Sequence, residues 1–404
     1  MAQIASSERF DGRRVLGVSL SLALVGFGVL AYGWVSSRAA TLFAYLVAFA
    51  FVTALALGAL IFLMIGYVVR ATWSVVLRRL NEAVVSVFPA LALLFAPIAA
   101  GLPQLYSWVE PARAFSGPQL LLLRHKSAYL NVSGFLLRSG VYLLLWVVAA
   151  TWLVRASRAR DARAAQPQGT VDDDELHAGE RRFSAALLPL VALSLTFASF
   201  DWLMSLQPLW HSTLFGVYFF AGGFVSSFGL LALLAYVAQR SAPPAQIGPS
   251  HFHALGRLML GFTAFWGYCA FFQALLIQIA DKPQEVTFYT DRLQAGWRSV
   301  TWLLVAVRLV IPFTLLLPRA IKLNPKAMAL LGVLLIAGEY LDVLWLVSPM
   351  QTATRAVINL WDMAALFAVA SSAVAFAAWR LRGRPWVPLG DPKLARSIAY
   401  RSPL

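Results

Sequence analysis

Ten stretches of this chain are apolar over about 20 residues or more, the length a helix needs to cross roughly 30 Å of hydrocarbon. They run 15 to 35, 42 to 69, 82 to 101, 130 to 154, 183 to 206, 212 to 239, 255 to 280, 297 to 318, 326 to 347 and 356 to 378. No water reaches the backbone at that depth, so each stretch must satisfy its own N–H and C=O groups, which dictates helices. Composition agrees, because 60% of the residues are hydrophobic and only 13% charged, against about 25% charged in a soluble domain. The expectation is an all-α integral membrane protein with ten transmembrane helices. The third stretch is the least regular, since Pro89 and Pro97 kink a helix and need neighbours for the freed carbonyls.

A net charge of +15 would suggest nucleic acid as the partner of a soluble chain, but here its placement points to the lipid bilayer. Of 33 Lys and Arg, 23 fall on the N-terminus, the even-to-odd loops and the C-terminus, 8 fall on the alternate side, and Arg138 and Arg308 lie inside stretches. By the positive-inside rule both termini are cytoplasmic. The charged N-terminus ahead of the first stretch lacks a small-residue cleavage site, so that stretch reads as a retained helix. The single cysteine, Cys269, excludes an internal disulfide. His125, His177, His211, His251 and His253 lie outside or at the ends of stretches, whereas a haem between helices needs ligands facing each other at membrane depth. No cofactor is expected in this chain.

The segment from Ser194 to Phe224 sets one carboxylate, Asp201, inside an apolar run. On insertion scales that costs about 2.5 to 3.5 kcal/mol, so the group must face a packed interior and have a partner. A second copy of its ending exists: Asp201 to Pro208 overlays Asp342 to Pro349, with Asp, Leu and Pro at the same offsets. The preceding spans repeat as well, with Arg138 and Arg308 each at an interior position. Arg138 precedes Asp201 by 63 positions and Arg308 precedes Asp342 by 34; without the 28-residue loop 155 to 182 the first spacing becomes 35. On adjacent antiparallel helices each Arg then reaches the depth of its Asp. Two readings stay open: a neutral clasp that fixes helix register, or a carboxylate whose protonation is tuned by the Arg and which passes protons.

Further polar residues join this candidate set. Glu339, Tyr340 and Asp362 lie at related depths, His211 follows Pro208 at the outer exit, and Glu82 sits with Arg78 and Arg79 near the inner headgroups. There, anchoring and proton entry are the competing readings. The outer segment 101 to 130 reads as a cap on the membrane, in which His125 and Lys126 are solvated or paired. The loop 155 to 182, with Arg155, Arg158, Arg160 and Arg163 followed by Asp172, Asp173, Asp174 and Glu175, reads as a solvated linker. The polar, aromatic loop 281 to 297 reads as a lid or docking surface, and the basic tail as a contact with a membrane surface or another subunit. The organisation expected is a peripheral first helix (1 to 40), a four-helix bundle (41 to 206), a second, repeated four-helix bundle (207 to 350), and a peripheral tenth helix with its tail (351 to 404).

Four stretches carry a family resemblance: FDWLMSLQPLWHSTLFGVYFFAGGF, WSVVLRRLNE, KSAYLNVSGFLLR and FWGYCAFFQALLIQIADKPQE. Over about residues 40 to 350 the chain resembles the F-type membrane subunit of bacterial alternative complex III, a quinol:electron-acceptor oxidoreductase, and is similar to NrfD and polysulfide reductase membrane subunits. The resemblance implies a subunit of the bacterial cytoplasmic membrane without a cofactor of its own. It implies assembly with an iron-sulfur subunit, haem c subunits and a sister NrfD-like membrane subunit that oxidises quinol, the complex's substrate. It also implies a proton route through buried polar residues, which would fall on Asp201, Arg138, Asp342 and Arg308. Ala254, Phe272 and Arg308 stand where the family pattern leads one to expect an acidic residue, a serine and a histidine. The rival reading is a secondary transporter with midplane charges in two repeats, whose sites ordinarily use helices broken at the midplane.

Overall fold

The computed structural model describes residues 10–164, 177–241, 247–294, 296–352 and 358–402. Among these the chain is all-helical without a strand, and ten helices are long and apolar enough to cross a membrane. They are α1 (Arg13–Ser36), α2 (Arg38–Val68), α3 (Val75–Ala100), α4 (Val132–Arg163), α5 (Ala178–Leu206), α6 (Phe215–Arg240), α7 (Pro249–Ala280), α8 (Trp297–Leu316), α9 (Pro325–Met350) and α10 (Leu360–Leu381).

Phe10, ahead of α1, and Gly383 and Arg384, just after α10, meet at one face, here termed the N-face. Phe10 N–H donates to the Arg384 carbonyl and Gly383 N–H to that of Phe10, both at 2.9 Å. At the other face Lys126 Nζ reaches the Pro208 carbonyl at 2.7 Å, and Trp297 Nε1 reaches that of Thr352 at 2.7 Å. The spans therefore run alternately up and down.

Helix α2 is the axis of the structure. It is apolar all round from Thr41 to Tyr67, the pattern of a helix buried on every side, and its most apolar window is 94% buried. It packs against α1, α3, α5, α6, α9 and α10. Close approach to α6 depends on glycine at two places. A Cβ on Gly58 would lie 2.6 Å from the Gly223 carbonyl oxygen, and one on Gly223 would lie 2.7 Å from that of Ala54. By contrast α1 packs chiefly on α10, and its outward residues Val18, Leu24 and Val35 stay exposed.

Helix α3 is a 3-10 turn, Val75–Leu77, followed by three short pieces, Arg78–Val85, Phe88–Leu94 and Ala96–Ala100. Pro89 and Pro97 each stand at the second position of a new piece, where a missing N–H costs least. Ile98 N–H turns to the Phe95 carbonyl, and Tyr45 Oη donates at 2.7 Å to the Leu94 carbonyl thereby released. The segment between α3 and α4 plugs the end of α5: Tyr106 Oη donates to the Trp202 carbonyl at 3.0 Å and Trp108 Nε1 to Ser205 Oγ at 3.2 Å. The helix Pro283–Leu293 does the same for α9. Its buried Arg292 lies 3.6 Å over the Phe288 ring and donates to the carbonyls of Trp345 at 3.0 Å and Leu346 at 2.8 Å.

Several helices outrun their apolar stretches at the N-face, and charge pairing is the reason. Helix α4 continues from 154 to Arg163, α5 starts at Ala178 rather than 183, and α3 starts at Val75 rather than 82. The reading of 155 to 182 as a solvated linker is corrected for its described ends: Arg160 and Glu180 are buried and ion-paired with each other. Asp172, Asp173, Asp174 and Glu175 lie outside the described residues. Arg78 and Arg79 are not headgroup anchors either, being 8% and 1% exposed. Arg79 pairs with Glu82 at 2.7 Å and with Asp161, while Arg78 pairs with Asp391 of the tail.

The tail belongs to the fold. Ser397 Oγ accepts from Val76 N–H and donates to the Trp73 carbonyl, each at 3.0 Å, and the Ser397 carbonyl lies 2.9 Å from His251 Nε2. The Asp391 side chain is wholly buried, with His177 Nε2 at 3.3 Å and Arg160 Nη1 at 3.8 Å. Burial pushes its carboxyl up, but Arg78, His177 and the Lys393 N–H together hold it well below the usual carboxylate range. A carboxyl held low in the folded state stabilises above its unfolded value near pH 4 and loses that contribution as pH falls toward the folded value. Asp391→Asn leaves Arg78 short of its counter-charge, which is expected to cost about 3 to 5 kcal/mol. Thermal unfolding of the detergent-purified protein should show a lower midpoint for the variant at pH 7, and a smaller difference from wild type under strongly acid conditions.

Candidate functional site in the membrane-spanning helices

Apart from the N-face network, two arginine-carboxylate clusters lie within the spanning helices among the described residues, and they differ in charge balance. In the first, Arg138 of α4 meets Asp201 of α5. Its Nε donates to Oδ2 at 3.0 Å and its Nη2 to Oδ1 at 2.8 Å, the two-pronged geometry that makes such pairs strong. One turn along α4, Tyr142 Oη donates to Oδ2 at 3.0 Å. Asp201 is 0% exposed, and the Arg138 side chain retains 23%. The guanidinium lies 3.9 Å over the Tyr129 ring and donates to the Tyr129 carbonyl at 3.1 Å. Burial, with Asp201 nearby, pushes the Tyr129 phenol up to about 12. One cation faces one anion.

The second cluster holds one cation and two anions. Arg308 of α8 is 1% exposed and sits in a π turn, Ala306–Val310. Pro312 has no N–H for the Arg308 carbonyl four residues earlier, so the helix widens there. From that turn Arg308 Nη1 reaches Glu339 Oε2 at 2.8 Å, while Nη2 lies 3.4 Å from Asp342 Oδ2. Nη1 also donates to Ser226 Oγ at 2.8 Å, and Ser226 Oγ lies 3.2 Å from Glu339 Oε2. Asp342 accepts from Trp266 Nε1 at 3.0 Å and from Tyr218 Oη. Arg308 Nε and Nη2 have no hydrogen-bond partner, so the fork is only partly engaged.

Both Arg and Asp positions anticipated from the sequence are thus brought together, and Glu339 is the nearer partner of Arg308. The other candidates lie elsewhere. Tyr340 turns toward α10, its Oη donating to the Asp362 carbonyl at 3.3 Å. Asp362 closes a capping box at the start of α10, accepting from Asn359 N–H at 2.9 Å. His211 is exposed in the turn between α5 and α6, and Glu82 belongs to the N-face network.

Sequence reasoning passed over Tyr142, Tyr218, Ser226 and Trp266. The missed signal is a stripe: Tyr218, Gly222 and Ser226 recur every four residues on α6, one face of a helix. Two of them bind the cluster and Gly222 makes room for it. A Cβ on Gly222 would lie 2.6 Å from Arg308 Nη2 and 2.9 Å from Glu339 Oε2.

The sequence matches no model of a known family and no curated protein. Among the described residues no three of His, Cys, Asp and Glu gather in a way that could hold a metal ion.

Gly222→Ala should overpack the second cluster at a cost of about 1 to 3 kcal/mol. Gly261→Ala on α7, where a Cβ meets nothing within 4 Å, is the control. Thermal unfolding in detergent is expected to separate them, with only Gly222→Ala shifted downward.

Proposed function

We propose that this chain is a membrane subunit of a quinol:electron-acceptor oxidoreductase of the alternative complex III kind. It would have no redox group of its own and would scaffold the complex while handling protons. In this reading it lies in the bacterial cytoplasmic membrane with both termini in the cytoplasm. Its partners are a sister NrfD-like subunit that binds quinol, an iron-sulfur subunit and haem c subunits. Helices α2 to α5 and α6 to α9 form two related bundles with α1 and α10 at the edge. The observation that carries the proposal is the pair of buried clusters, each with an Arg on the fourth helix and an Asp on the fifth, or on the eighth and ninth.

The clusters divide the two roles between them. Arg138 and Asp201 cancel one another and form a clasp between α4 and α5. With both carboxylates ionised, the Arg308 cluster would carry one net negative charge in hydrocarbon, and a single proton shared by Glu339 and Asp342 removes it. Asp342 accepts from a phenol and an indole and Glu339 from Ser226 and Arg308, so the proton belongs to the pair, and Glu339 is the member whose replacement leaves the Asp342 hydrogen bonds intact.

A secondary transporter is the second reading, favoured by the π turn at Arg308, since transport sites use interrupted helices. Purification separates the two: haem and iron-sulfur absorbance that co-purifies with the chain supports the complex, and a homo-oligomer without it supports transport. Within the complex, Glu339→Gln is expected to assemble normally and to lower proton release per electron in proteoliposomes while quinol oxidation continues. Asp201→Asn should lower the yield of assembled complex and leave proton stoichiometry unchanged in what assembles.

A further inference from the structure

A second site lies at the N-face, away from both clusters. A pocket there is lined by Gly66, Tyr67, Arg70, Ala71, Arg78, His177, Arg181 and Lys393, so that among the described residues basic side chains line it and no carboxylate does. Its enclosed part measures about 10 Å³, room for a single oxygen-sized group, and it opens past the exposed Arg70 and the half-buried Arg181. Three further observations concern what would fill it. The Tyr67 hydroxyl and His177 Nδ1 are buried without a hydrogen-bond partner, while His177 Nε2 faces Asp391 at 3.3 Å. Helix α5 begins at Ala178 with no side-chain cap, leaving its first N–H groups and the positive end of its dipole beside the pocket. Asp391, the nearest carboxylate, is already shared among Arg78, Arg160 and His177.

We propose that this pocket binds the phosphate of an anionic phospholipid headgroup, with Arg181 and Arg70 at its mouth and the Tyr67 hydroxyl donating to a phosphate oxygen. A phosphate supplies the acceptors that the Tyr67 phenol and the helix start lack, and a counter-charge for Arg181 at the mouth. The pocket lies between the end of α2 and the start of α5, where spanning helices leave the apolar layer, and Val69 beside Arg70 is 63% exposed, as a residue touching an acyl chain would be. Basic pockets between helix ends are a known form of headgroup recognition.

The test is native mass spectrometry of the full-length protein, delipidated in detergent and offered phosphatidylglycerol and phosphatidylcholine. One phosphatidylglycerol should be retained in preference to phosphatidylcholine. Arg181→Gln, which removes no hydrogen bond or ion pair among the described residues, should weaken retention about fivefold. Tyr67→Phe should weaken it as well, and Arg182→Gln at the exposed neighbouring position should not. Equal retention of the two lipids, equal retention by wild type and Arg181→Gln, or full displacement by inorganic phosphate each overturns the proposal, the last by showing a site for free anions.

Discussion

An arginine in hydrocarbon must be neutralised by protein, and the second half of this structure is arranged around that requirement. Arg308 is nearly inaccessible to solvent, and a lone guanidinium at such depth is costly on every scale. Glu339 and Asp342 approach it from α9, Ser226 and Tyr218 come from α6, and Trp266 comes from α7. Gly222 and Gly338 keep their positions bare because a Cβ at either would press on Arg308. The π turn is part of the same arrangement, since Pro312 forbids the regular hydrogen bond at the residue that carries the charge.

The same requirement acts at the N-face with different means. There Arg78, Arg79 and Arg160 are answered by Glu82, Asp161, Glu180 and Asp391, drawn from three helices and the tail. Between the two charged regions runs α2, which contributes packing and almost no polar chemistry. Its apolar surface on all sides lets it serve as a common wall for the helices around it.

Much of this was legible in the sequence, and the limits follow from what apolar patterning measures. The ten spans were legible because each is a long run that only hydrocarbon or a packed interior accepts. Arg138 and Asp201 could be matched because helical rise converts equal spacing into equal depth. The ends of α3, α4 and α5 were misjudged because charged residues read as solvent-facing, whereas Arg79, Arg160 and Glu180 are buried against each other. Asp391 was invisible for a related reason: its partner Arg78 stands 313 positions away, and no periodicity links them. Glu339 as the nearer partner of Arg308 was not legible because the spacing argument assumed a regular helix, whereas Arg308 sits in a π turn.

The place of Asp391 in this network has a consequence for how the molecule is made. Chains are synthesised and begin to fold from the N-terminus, so Arg78 and Arg160 enter the lipid-facing assembly long before their shared carboxylate exists. Until Asp391 is made, Arg78 lacks the carboxylate it pairs with, whereas Arg79 and Arg160 already have Glu82, Asp161 and Glu180. Synthesis of Asp391, rather than insertion of the tenth span, therefore supplies the last carboxylate of this network. A product ending before Asp391 would have every spanning helix and still leave the buried Arg78 without its counter-charge.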